Sequence, residues 1–176
     1  DYRLHSYEKW RGELLNTVDS TDVNDEIILF TSLLSNSSFQ SIWPTIRYEI
    51  NRLVKLQDTT RSYLAGNLPL KALQYAMVDN FYYDQLNMGA ANFVISSFQH
   101  FINRNPEVAE QTAGVVMVDG QYANLFLVTG GSKDDYLNIL FNSNDYAAGM
   151  VGRAYEELLL RKPGSTELME GVNIFI

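Results

Sequence analysis

The sequence predicts an all-α fold: one domain over residues 1–176, a multi-helix array with a duplicated helix–Arg-x-Pro–helix unit. Three observations carry this. Apolar residues recur at the i, i+3, i+4, i+7 spacing of helices along most of the chain. Two stretches, Phe98 to Glu110 and Tyr155 to Glu167, repeat each other at a constant offset of 57 residues. Only Tyr122–Thr129 is apolar and glycine-bounded in the manner of a strand, and it reads as an irregular segment or short helical turn.

Taken in order, Asn24 is an N-cap candidate, with Asp25 and Glu26 at the positive helix end and Ile27, Phe30, Thr31 and Leu34 as one stripe. Ser35-Asn-Ser-Ser breaks that helix. A longer one spans about Phe39 to Leu56, with Phe39, Ile42, Trp43, Ile46, Ile50, Leu53 and Val54 on its apolar face. Pro44, near its start, either begins the regular helix or kinks it. Leu68-Pro69 opens a helix with Leu70, Leu73 and Met77, ending near Asp79-Asn80. Phe81 to Gly89 has no clean period and reads as a packed aromatic loop. Val94, Phe98, Phe101 and Ile102 define a helix stopped at Asn105-Pro106, and Pro106 suits the first position of the next, which runs to Val118. Ser132 caps a helix carrying Tyr136, Ile139 and Leu140. Asn144 caps a last long helix, which Pro163 ends.

In the repeat-like units, about residues 90–120 and 145–170, the pairs are Phe98/Tyr155, Phe101/Leu158, Ile102/Leu159, Arg104/Arg161, Pro106/Pro163 and Glu110/Glu167. Val94 and Val151 extend the match. Repetition of this kind argues for units that bury a shared core. An arginine at a helix C-terminus answers free carbonyls and the dipole, and here it can pair with the glutamate six positions on.

Composition narrows the function. Hydrophobic residues make up 46% and charged ones 19%, as in an ordered globular domain. A net charge of −8 argues against non-specific binding of nucleic acid and against docking on an anionic membrane. The absence of cysteine excludes disulfides and thiolate metal sites, and it is compatible with an oxidising compartment. No run of about 18 apolar residues spans a bilayer.

The order of motifs resembles the short helical repeats of bacterial surface proteins grouped in a DUF-type family with the pattern "LY..LLGR.PD", then "G.S...V...L..S.EF". More distantly, it is similar to phycobilisome linker domains. The residues concerned are Phe98 to Glu110, Ser132, Leu140, Ser143, Tyr146 and Tyr155 to Glu167. The usual glycine before the arginine is Asn103 in one copy and Leu160 in the other. Tyr83 to Phe93 also resembles stretches of Bacteroidota envelope proteins. These resemblances imply an all-helical fold, a scaffold or surface role and no catalytic residue. They also imply an envelope lipoprotein, with a lipid anchor outside the given sequence.

Candidate chemistry is sparse. His5 and His100 are far apart, and there is no Gly-x-Ser-x-Gly elbow, Walker loop or Gly-x-Gly-x-x-Gly. Gly130-Gly131-Ser132 reads as a helix cap, and an anion site there is the alternative. Asp19, Asp22, Asn24, Asp25 and Glu26 cluster oxygens that calcium accepts, but at spacings foreign to the EF-hand, so a solvated helix start is preferred. Eleven tyrosines and nine phenylalanines exceed what the helical stripes use. Phe81, Tyr82 and Tyr83 are therefore the expected partner-binding residues. The expectation is a non-enzymatic, extracytoplasmic scaffold or accessory subunit that binds a partner protein, with no metal or cofactor. The alternative is a small-molecule or glycan binding module using residues 81–83.

Overall fold

A computed structural model describes residues 2–175. The described chain is 75% helical, with ten helices and one two-stranded sheet, which is the all-α class expected. Packing divides it into two compact units, one up to Leu86 and one from Asn87 onward. No composition shift marks that boundary.

The first unit contains α1 (Tyr2–Leu15), α2 (Ser20–Leu33), α3 (Trp43–Leu64), α4 (Leu70–Val78) and α5 (Phe81–Leu86). The α1 helix carries no strong apolar stripe, yet Ser6, Trp10 and Leu14 recur every fourth residue on its buried side. Asp19, not Asn24, caps α2: its carboxylate accepts from the Thr21 and Asp22 backbone, while Asp22 answers the Asp19 N–H. A 3₁₀ turn, Ser37–Ile42, precedes α3, so Phe39 and Ile42 lie outside the long helix and are exposed. Pro44 sits in the first turn of α3, where its missing N–H costs nothing. The expected aromatic loop at Phe81 is instead the short α5. Buried Asn80 makes it, donating to the Ala76 and Met77 carbonyls that end α4 and accepting from the Tyr82 and Tyr83 N–H groups that start α5.

Around α3, the core gathers Trp10, Leu14, Val23, Leu53, Leu56, Tyr63, Leu73, Met77 and Tyr83. Arg52 is buried among them. It donates to Glu49, to Asp79 at the end of α4 and to Asp84 on α5, and it lies 4.8 Å from the Tyr48 ring. Burial opposes its charge, but the hydrogen bonds it donates to Asp84 and Glu49 outweigh that and raise its pKa.

The second unit contains α6 (Ala90–Ser97), a π-turn at Phe98–Ile102, α7 (Val108–Val118), β1 (Ala123–Leu125), β2 (Val128–Gly130), α8 (Lys133–Phe141), α9 (Asn144–Leu159) and α10 (Ser165–Phe175). Ser132 and Ser143 cap α8 and α9 through the Asp135 and Tyr146 N–H groups. The expected turn at 122–129 is an antiparallel hairpin, with Leu125 opposite Val128. Its two turn residues, Phe126 and Leu127, adopt φ of 51° and 65°. Asn-Gly ordinarily fills such a turn, which is why the sequence carries no hairpin signal.

The core of this unit centres on Phe93, Val94, Phe98, Phe101, Met117, Tyr136, Leu140, Phe141 and Tyr146. Within it, the Ser97 and Tyr136 hydroxyls lie 2.6 Å apart. The closest approach is at Gly149, where α9 crosses the π-turn. A methyl group there would lie 2.6 Å from Ile102 Cα and would also strike the Phe101 carbonyl oxygen. Backbone cannot yield as a side chain can. Gly149→Ala should therefore cost about 3 kcal/mol, the upper range for overpacking, measured by urea unfolding. A loss below about 0.5 kcal/mol would show that the crossing is loose.

Candidate partner-binding surface

Tyr83 is fully buried, so the three expected contact residues do not form one surface. Phe81 is half-buried with its ring edge-on to Phe30 at 5.1 Å, and the Tyr82 hydroxyl donates to the Asp22 carbonyl. Burial, then Glu26, Asp22 and Asp25, push the Tyr82 phenol up to about 12. These aromatics join α5 to α2. A cleft of about 420 Å³ lies beside Tyr82, lined also by Asn16, Thr17, Asp22, Asp25 and Glu26. The calcium candidate falls here, but the Asp19 and Asp22 carboxylates are committed to the helix cap. No cluster of three metal-binding side chains occurs among the described residues.

The Arg–Glu clamp of the duplicated segment recurs in three dimensions, with Arg104 also bonding Asp145 at 2.9 Å. Asn103 and Leu160, at the position of the glycine in the resembling pattern, both take the left-handed conformation that favours glycine, with φ of 59° and 54°. Arg104 then bonds both carboxylate oxygens of Glu110 at 2.6 and 2.7 Å, and Arg161 bonds Glu167 at 2.7 and 2.6 Å. Each arginine also donates to the next residue's carbonyl, at 3.1 Å in both copies. The glutamates accept from the Glu107 and Gly164 N–H groups, capping α7 and α10. The guanidinium groups lie 5.4 and 5.2 Å from the Phe98 and Tyr155 ring centres. The Arg104 bond holds Glu110 below its ordinary pKa, and Arg161 with the Gly164 N–H lowers Glu167 to about 2. Pro106 and Pro163 stand between the paired residues.

One recurring contact escaped the sequence reading although the 57-residue offset contained it. A methyl group on Gly114 would lie 2.9 Å from Val94, and one on Gly171 would lie 2.6 Å from Val151. Glycine lets α7 sit close against α6, and α10 close against α9.

Burial then separates the copies. Phe101, Ile102 and Met117 are 1%, 6% and 0% exposed, whereas their counterparts Leu158, Leu159 and Ile174 are 81%, 54% and 87% exposed. The expected stripe on the second copy is buried at Val151 and half-buried at Tyr155, but open at its two leucines. Residues 126–149 cover the first copy. Phe126 lies 6.0 Å from Phe98, Phe141 lies 4.8 Å from Phe101, and a methyl on Gly130 would meet Met117 Sδ at 3.4 Å. Among the described residues, the second copy has no such cover. Leu160 and Met169 are exposed with it.

The hairpin tip is the other apolar feature. Left-handed backbone costs an ordinary residue about 1–2 kcal/mol. Phe126 offsets this by packing on Phe98, but Leu127 is 94% exposed. No packing accounts for its presence there.

His5 is exposed. His100 is depressed to about 4 by burial and then by Arg153, so it is neutral at pH 7. Comparison with models of known protein families found no match, and neither the curated proteins nor the solved structures gave a significant one.

Two outcomes follow from this geometry. Leu160→Gly should stabilise by about 1 kcal/mol by relieving left-handed strain at an exposed side chain, read as a higher urea midpoint. An unchanged or lower midpoint would mean the strain is small. For His100 the folded pKa lies below the unfolded 6.5, so the unfolded chain binds more protons between those values. Its contribution is full above about pH 6.5 and is lost as pH falls towards 4. His100→Gln should flatten the stability–pH curve across that window.

Proposed function

We propose that this chain is a non-enzymatic scaffold or accessory subunit that works by holding a partner protein. The single observation behind the reading is the open apolar face of the second copy, formed by Leu158, Leu159, Leu160 and Ile174. The counterparts of Leu158, Leu159 and Ile174 in the first copy, Phe101, Ile102 and Met117, are core. Covering an apolar side chain of this size contributes about 1.5–3 kcal/mol, so a few of them can support specific association. The clamp of Arg161 on Glu167 fixes the turn between α9 and α10, giving the face a preset shape and lowering the ordering cost of binding.

The reading includes an extracytoplasmic, envelope-associated setting. Its support is the absence of cysteine and the likeness of the Arg-x-Pro repeat to bacterial surface repeats. No described helix is long and apolar enough to cross a membrane. The alternative, a small-molecule or glycan module at residues 81–83, reduces to the cleft beside Tyr82, because Tyr83 is core.

The test is a double variant, Leu158→Asp with Ile174→Asp. Both side chains are more than 80% exposed, so helix content and melting temperature should stay within a few degrees of the parent. Protein that co-purifies with the parent from its native source should be lost from the variant by at least about tenfold. Undiminished capture would put the contact surface elsewhere, and turnover of a substrate by the purified chain would end the reading.

A further inference from the structure

We infer that the partner seats on this face through a helix of the α9 kind: one that starts with a carboxylate and an aromatic ring and carries a glycine three residues after the ring. The inference rests on the scaffold reading of the second-copy face, and it names the docking element of the partner.

The first copy shows what covers a face of this design. Phe101 and Ile102, the counterparts of Leu158 and Leu159, lie under the junction of α8 and α9. Phe141 approaches the Phe101 ring at 4.8 Å, and Tyr146 lies 6.4 Å from it. Gly149 brings the α9 backbone against the Phe101 carbonyl and Ile102 Cα. Asp145, in the first turn of α9, completes the seat by accepting from Arg104 Nη2 at 2.9 Å. Ring, glycine and carboxylate each answer a different part of the motif.

The second copy repeats the receiving half of this contact. Leu158 and Leu159 hold exposed apolar side chains where Phe101 and Ile102 are core. Arg161 makes the same two carboxylate bonds and the same carbonyl bond as Arg104. Arg104 takes Asp145 as a fourth acceptor without giving up Glu110. Arg161 lacks a fourth acceptor among the described residues, and its side chain is 50% exposed. A partner carboxylate can therefore reach it and leave the clamp on Glu167 intact. Such an exposed pair adds little affinity, but it sets the direction in which the docked helix lies.

The chain holds no spare helix of this kind in its own repeat. The start of α9 is engaged on the first copy. The corresponding start of α6 carries Met88, Gly89 and Asn92 at the positions of Asp145, Tyr146 and Gly149. Carboxylate, ring and glycine are each replaced there. The docking helix therefore belongs to a different protein.

The experiment titrates the full chain with a synthetic peptide of its own residues 132–153, which hold α8 with its cap and the start of α9. Leucine-methyl NMR reads Leu158 and Leu159 directly. The first copy is already covered, so the peptide should shift these methyls, with a Kd below about 300 µM once the ordering cost of the peptide is met. A Gly149→Leu peptide should bind at least about tenfold more weakly, and an Asp145→Asn peptide about threefold. Leu158→Asp with Ile174→Asp in the chain should abolish the binding. No methyl shift up to about 1 mM peptide, or a Gly149→Leu peptide that binds like the parent, overturns the inference. Self-association in sedimentation velocity that the face variant loses also overturns it, because the face then belongs to a second copy. If the peptide fails but the face variant still loses its co-purifying partner, the scaffold reading stands and only the docking element falls. Intact co-purification overturns the scaffold reading separately.

Discussion

The second unit depends on one recurring interaction: an arginine that grips a glutamate six residues later across a left-handed helix end. A lone exposed ion pair contributes little to stability. This one is embedded in a network, because the same carboxylate caps the next helix and the same guanidinium bonds a carbonyl and lies beside an aromatic ring. The helix end, the turn and the next helix start are thereby specified together. The glycine contacts at Gly114 and Gly171 then set how close the two helices of each motif lie.

The same motif meets two fates. In the first copy the following hairpin, α8 and α9 bury the apolar side, and that burial makes the unit's core. In the second copy the clamp is equally well made, but its apolar side faces solvent. Local geometry is therefore independent of whether the face is covered. A surface already holding the shape of a filled core needs little rearrangement to receive a partner. The aromatic surplus that marked residues 81–83 serves instead to join α5 to α2, and the exposed apolar residues lie in the aliphatic part of the repeat.

Much of the fold was legible because it is written in local terms. Ser132 before an acidic turn, Pro106 and the matched Arg-x-Pro segments each follow from interactions a few residues apart. Elements defined by distant partners were not. Tyr2–Leu15 buries a serine among its contacts and so lacks a clean stripe. The hairpin turn uses Phe126 and Leu127 where the signal would be Asn-Gly, and α5 is started by an asparagine that also ends α4. Arg52 reads as a surface helix residue until Asp79 and Asp84 are brought to it. For the candidate surface, the chemistry of Leu158 and Leu159 was visible but their exposure was not. Pattern identifies an apolar stripe and is silent on whether anything lies over it.

The crossing at Gly149 has a consequence for how the second unit forms. Most of the packing there joins neighbours in sequence, such as α6 with α7 and α9 with α10, and such contacts close short loops. The contact of α9 with the π-turn is among the longer-range ones, with Ser97–Tyr136 and Phe101–Phe141, since it closes the loop containing α7, the hairpin and α8. Loop-closure entropy must be met before that contact contributes. Helix pairs at either end are therefore expected to assemble before the backbone-on-backbone fit at Gly149. A contact made late is also the first to break. A change at this residue, which has no side chain, should thus alter the rate at which the unit opens more than the rate at which it folds.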